Sequence, residues 1–198
     1  AKLPIAFTQG FNPRPKMTFA AALPVGATSV GEYMDIDFYQ ETLIQHLVTE
    51  LNRCLPAGLR VTVAEAADDS NIKLSDLNRA TYDVQTCMGS ALEFELSQGI
   101  SQLLKSEHII IDKTTKAGVR QVNIAPLIHD IKIIEIDNGV ARLMMELSLG
   151  QQGNVSPPTV VLELGKIIST DVKLKGFCRE EMFIKTADGR FFPLESHI

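Results

Sequence analysis

The residues of this 198-residue chain whose types and spacing could do chemistry gather in three short stretches. The first is Gly10-Phe11-Asn12-Pro13-Arg14-Pro15-Lys16. Glycine permits close approach, the two prolines hold the loop stiff, and Asn12, Arg14 and Lys16 present donors with no acid among them. A loop ordered before its ligand arrives binds an anion with less entropy left to lose. The Arg14 fork suits bidentate contact with phosphate or carboxylate, and Lys16 suits contact as a point charge. The same composition also makes a plain rigid connector. The second stretch, Gly150-Gln151-Gln152-Gly153-Asn154-Val155-Ser156-Pro157, leads from a strand into a helix. There the backbone around Gly153, Asn154 and Ser156 would face an anion at the positive helix end. It has neither the Lys-Ser/Thr ending of a P-loop nor the spacing of a dinucleotide fingerprint, and a glycine turn with a serine cap gives the same pattern. The third is a basic turn in which Lys113, Lys116 and Arg120 follow one another closely.

Acid–base, nucleophilic and metal chemistry find less to work with. Asp35 and Asp37 share one face of a predicted strand, about 7 Å apart, which suits proton transfer or a divalent cation and equally a solvated outer face. Cys54, Cys87 and Cys178 are odd in number and far apart, and His46, His108, His129 and His197 are dispersed. Neither set reads as a disulfide framework or a metal clip, so the cysteines indicate a reducing, cytoplasmic setting, with no catalytic residue and no metal. Hydrolase, zinc-protease and β-lactamase spacings are missing from the sequence.

Composition sets the frame for these stretches. With 45% apolar and 22% charged residues and a mean hydropathy near zero, the chain has enough apolar surface for one domain or two small ones. Disordered and collagen-like chains are excluded, and no run approaches the roughly 18 apolar residues of a membrane span. The net charge of −5 conceals an asymmetry: residues 1–31 carry three bases and no acid, residues 32–95 carry 12 acids against 4 bases, and the remainder is balanced at 12 of each. A basic opening set against an acidic body would focus an anion onto one edge.

The elements that must position these residues follow from periodicity. Alternation in Tyr33–Tyr39 predicts a strand, Leu43, Ile44, Leu47, Val48 and Leu51 mark one stripe of a helix, and residues 59–67 return to strand alternation. Further strands are expected at 81–88, 108–113, 131–136, 141–149 and 176–186, with helices over 89–106 and after Ser156. Asn138-Gly139 and Asp188-Gly189 are the hairpin signals. Residues 81–186 then read β-α-β-β-α-β, and residues 5–66 read the same order without its first strand and helix. The expected fold is α+β: two tandem ferredoxin-like (βαββαβ) units, a truncated one over 1–68, a linker over 69–80, and a second over 81–198 ending in a hairpin.

The block from Pro4 to Phe38, PIAFTQGFNPRPKMTFAAALPVGATSVGEYMDIDF, resembles the opening of a bacterial domain family of unknown function called radical-SAM-linked, found fused to or encoded beside radical-SAM proteins. LNRCLPAGLRV, YDV, the stretch Arg120–Ile128 and SLGQQGNVSPPTVV extend the resemblance over nearly the whole chain. Members usually begin with one further strand and an amphipathic helix, so the resemblance implies a chain that starts inside its first unit and exposes a sheet edge there. It also implies an accessory role. The three cysteines cannot form the C-x-x-x-C-x-x-C arrangement that holds a radical-SAM cluster, so the iron–sulfur cluster and S-adenosylmethionine would belong to a radical-SAM domain in cis or trans. The expected function is non-catalytic docking of an anionic substrate, RNA being the candidate weighed, through Asn12, Arg14, Lys16, Lys113, Lys116, Arg120, Gly153, Asn154 and Ser156. The alternative is a protein–protein scaffold completed by a partner, by a second copy in a dimer or by the rest of its own chain. A final expectation brings Gly10–Lys16 and Gly150–Ser156 onto one surface as a composite anion site.

Overall fold

The computed structural model describes residues 3–67, 73–88, 93–115, 118–150, 153–186 and 191–193. The fold is α+β and divides into two compact units, Ala1–Ala20 with Tyr33–Leu74, and Ala21–Glu32 with Ser75–Ile198.

The first unit holds β1 (Met17–Phe19), β3 (Met34–Ile36) and α1 (Ile44–Cys54), while β2 (Thr28–Ser29), between them in the chain, joins the second unit. β1 and β3 pair antiparallel, and isolated bridges Ile5–Phe38 and Phe7–Pro15 extend the ladder on either side of the proline loop. That loop is closed by Thr8 N–H donating to Arg14 O at 2.9 Å and Lys16 N–H donating to Ala6 O at 2.8 Å. The expected strand at 59–67 is corrected: no strand forms there. A ladder needs a partner, and the pairing available to this segment is a side chain. Asn52 on α1 donates its amide to Val61 O at 2.9 Å and accepts Val61 N–H at 2.8 Å, imitating one rung of a sheet. α1 carries its apolar stripe as the sequence predicts, yet buries none of its residues.

The second unit carries the core. Its elements are β4 (Arg79–Cys87), α2 (Glu93–Lys105), β5 (Ile110–Thr115), β6 (Gly118–Asn123), β7 (Ile128–Asp137), β8 (Val140–Ser148), α3 (Pro157–Ile167), β9 (Lys173–Lys185) and β10 (Phe191–Pro193). The sheet runs β10-β9-β4-β8-β7 with every neighbour antiparallel, and β2 adds to β9 in parallel. Strict alternation makes this possible: Ala80, Tyr82, Val84 and Thr86 on β4 and Ala141, Leu143, Met145 and Leu147 on β8 are all buried. α2 contributes Leu96, Ile100 and Leu103 to the core, and α3 contributes Val160, Val161 and Leu164. Gly99 lets the two helices approach closely, since a Cβ there would run into Ile168. Asn138 and Gly139 both have positive φ, 48° and 75°, as a type I′ hairpin requires.

The alternate residues of the same strands carry polar groups. Arg142 grips Asp83 with two nitrogens, and Glu146 Oε1 accepts from Lys185 at 2.9 Å. His129 Nε2 lies 2.7 Å from Ser148 Oγ, and burial, followed by the Arg79 charge, holds its pKa below the usual histidine range. The basic stretch expected as a turn is a full hairpin, β5 paired with β6, because 118–123 also meets a partner strand. The hairpin expected at Asp188-Gly189 lies outside the described residues, as do residues 89–92 at the start of the predicted helix.

Candidate anion-binding cleft

Four of the residues singled out in the sequence come together in the second unit. In the β5–β6 register Lys113 stands across from Arg120, and Ile111 across from Val122, so these four side chains share one face of the hairpin. Asn123 ties the hairpin base to the chain on both sides: its Oδ1 accepts from Ile109 N–H at 2.8 Å and Ala125 N–H at 3.2 Å, and its Nδ2 donates to Glu107 O at 2.8 Å. From the hairpin, Lys113 Nζ donates to Asn154 Oδ1 at 3.0 Å. That bond joins two stretches 41 residues apart, each selected independently for its donors.

The glycines of the Gly150–Ser156 loop answer to packing. Gly150 has φ 96°, and a Cβ there would sit 2.7 Å from Leu77 O. Gly153 has φ 142°, and its Cβ would meet the Leu127 side chain at 2.8 Å. Ser156 is the N-cap of α3, as predicted, but its hydroxyl makes no cap hydrogen bond and instead faces Thr159 Oγ1 at 3.1 Å. The first turn of α3 itself offers few free amides. Pro157 and Pro158 have no N–H, and the amides of Thr159 and Val160 both donate to Ser156 O, at 3.0 and 3.2 Å. Side chains of the same loop add polar groups to this end.

Those side chains surround a cleft of about 420 Å³ inside the second unit. Lys113, Asp112, Thr114, Asn154, Ser156 and Thr159 are among its polar groups, and Ile111, Ile124, Val155 and Phe177 are among its apolar walls. A mostly apolar cleft with a few convergent polar groups has the make-up of a small-ligand site. Tyr82 and Arg179 also line it. Arg179 is 1% exposed, and its Nε and Nη2 bond the two Glu32 carboxylate oxygens at 2.8 and 3.3 Å. Tyr82 packs edge-on to Phe177 with ring centroids 6.2 Å apart, and burial pushes its phenol up, keeping it neutral. Arg179 and Glu32 stand in none of the stretches whose composition suggests ligand contact. The available signal was Arg179 falling two residues after Phe177 in an alternating strand, which puts a charge on the core-facing side.

Asn12, Arg14 and Lys16 are exposed on the first unit's proline loop, and Lys16 Nζ is paired with Asp37 at 3.5 Å. Asp35 has its pKa raised by burial and by the neighbouring Asp37 charge, as two carboxylates on one strand face require. Lys116 lies outside the described residues. The cysteines do not fit a radical-SAM cluster: in the β4–β9 register Cys178 faces Asp83 and Cys87 faces Lys173. Four residues of strand, about 13 Å, therefore separate those two thiols.

Comparison with known proteins gives one family. Residues 1–157 match the family model described as uncharacterized protein conserved in bacteria, DUF2344. No curated protein matches. Among solved structures, the chain is similar to one in the crystal structure of a Cbf5-Nop10-Gar1 complex, with 13% identity and a TM-score of 0.43 over 55% of this chain. The similarity spans 32% of that chain's length.

Proposed function

Since the chain belongs to the DUF2344 family of uncharacterized proteins conserved in bacteria, we propose, from its own residues, that it is a non-catalytic accessory domain of a radical-SAM protein and docks an anionic substrate. The single observation that carries the docking reading is the Lys113–Asn154 hydrogen bond beside an apolar cleft. The radical-SAM association rests on the resemblance of residues 4–38, and the cluster and S-adenosylmethionine are assigned to that protein. The order β9-β4-β8-β7, with α2 and α3 as crossovers, supports reading the second unit as ferredoxin-like. The first unit, with β1, β3 and α1, is read as a second, smaller unit of the same kind.

RNA is the polyanion to test first. The experiment measures binding of a single-stranded RNA at 50 and 200 mM salt. Contact with several phosphates through Arg14, Lys113, Lys116 and Arg120 requires affinity to fall by roughly tenfold or more over that range. A flat response excludes RNA, and a small anionic substrate then remains.

A specific observation favours a second reading, a scaffold completed by a partner or by the rest of its own chain. Leu43 is 81% exposed, Phe19 63% and Tyr39 66%, and Ala6 is the buried apolar residue of the first unit among those described. Exposed apolar side chains of this kind suit an interaction surface. The variant Leu43→Asp with Ile44→Asp is expected to keep the thermal midpoint of the isolated chain and to abolish co-elution with a radical-SAM domain supplied in trans. Co-elution at the wild-type level would remove this reading.

A further inference from the structure

We infer that the cleft of the second unit binds a phosphomonoester, its phosphoryl group held at Lys113 and Arg120 and its apolar or planar body lodged between the hairpin and the start of α3. The inference rests on the docking reading above and assigns its ligand class.

The hairpin holds an arrangement that folding alone disfavours. Lys113, which lines the cleft, and Arg120, which stands outside its lining, are directly opposite in an antiparallel ladder. Side chains so placed have Cβ atoms about 5 Å apart, and like charges there repel. Among the described residues neither forms an ion pair with a carboxylate. The flanking acid on the same strand, Asp112, stands across from Gln121 and also lines the cleft, and it forms no ion pair with either cation. Two unneutralised cations side by side match a group that brings two negative charges, and a phosphomonoester above pH 7 is that group, its second pKa being about 6. A monocarboxylate would leave one of them unmatched.

The neutral donors fit the same group. Asn154 is held at Lys113 by the 3.0 Å bond to its Oδ1, which leaves the Nδ2 amide as a donor. The hydroxyls of Ser156 and Thr159, 3.1 Å apart and both lining the cleft, share one hydrogen bond between them, so one O–H is left to give. The body of the ligand is set by the walls. Ile111 and Val122, next to the cation pair on the same hairpin face, continue into Ile124, Val155 and Phe177. A volume of about 420 Å³ accommodates one ring or a short chain and cannot enclose a run of nucleotides. A buried guanidinium in the wall adds no free charge, because Glu32 neutralises Arg179.

The phosphoryl could be carried by a small molecule or by the end of an RNA strand, and the test separates them. Phenyl phosphate is titrated into the 198-residue chain at pH 8 and followed calorimetrically, in parallel with a 5′-phosphorylated trinucleotide and its dephosphorylated form. Lys113→Met and Arg120→Met are the variants: both positions are on the hairpin surface, and unchanged circular dichroism and thermal midpoints show that each folds. Expected is saturable binding of phenyl phosphate, weakened about tenfold or more by either variant, the factor for one lost charge-assisted hydrogen bond. Tighter binding of the trinucleotide that depends on its 5′-phosphate and on both cations assigns the group to an RNA end. Absence of that preference assigns it to a small molecule. Failure of phenyl phosphate to bind, or binding that neither variant weakens, overturns the inference. If RNA still binds with a steep salt dependence in that case, the docking reading survives without the phosphomonoester. If no anion binds at all, both fall together.

Discussion

Glu32→Gln lowers the stability of this chain by about 3 kcal/mol, measured as a shift of the urea midpoint at unchanged slope. The physical reason is an asymmetry of burial: Arg179 is 1% exposed, whereas the Glu32 side chain is 36% exposed. Removing the carboxylate charge leaves a desolvated guanidinium with no counter-charge, and a buried ion left alone costs several kcal/mol. The exposure of Glu32 puts the value at the low end of that range. Arg179→Met is expected to cost less than Glu32→Gln, because the carboxylate it orphans can still reach water. The double variant Arg179→Met with Glu32→Gln should therefore be more stable than Glu32→Gln alone. If Glu32→Gln is as stable as the wild type, the two groups do not form a buried pair, and the wall of the cleft is not built as described.

Gly150→Ala carries the second large effect, a loss of about 2 to 4 kcal/mol. Two penalties combine: a φ of 96° that an L side chain rarely adopts, and a Cβ placed 2.7 Å from Leu77 O. The carbonyl is backbone and cannot rotate away as a side chain would, and Leu77 itself is buried, 3% exposed. Gly150→Asn separates the two penalties, since asparagine tolerates positive φ better but brings the same Cβ. It should remain well below the wild-type urea midpoint. Recovery of full stability in Gly150→Asn would mean that the close approach to Leu77 does not exist and that only the turn conformation requires glycine. The consequence for function is direct. The glycine that made this loop look like an anion cradle is demanded by a neighbouring strand end, and the ligand-facing work passes to Lys113, Asn154, Ser156 and Thr159.

The amino-acid sequence by itself determined what depends on neighbours along the chain. The alternation of Ala80, Tyr82, Val84 and Thr86, and of Ala141 to Leu147, is a property of successive residues, so the strands and their buried faces were legible. Asn138-Gly139 specified its hairpin through backbone sterics alone, and Ser156 before two prolines marked the start of α3. The donors of the cleft were also legible as residue types, since Lys113, Asn154 and Ser156 each stand in a stretch built for contact.

What only the tertiary structure decided depends on partners far away in sequence. Residues 59–67 alternate like a strand but meet the Asn52 side chain where a strand would be needed. Residues 118–123 become a strand because β5 is there to pair with. The Arg179–Glu32 pair spans 147 residues, and no local pattern encodes which acid a buried arginine will meet. Local sterics and periodicity are written residue by residue, whereas hydrogen-bond satisfaction and charge pairing are settled only when distant segments are brought within about 3 Å of one another.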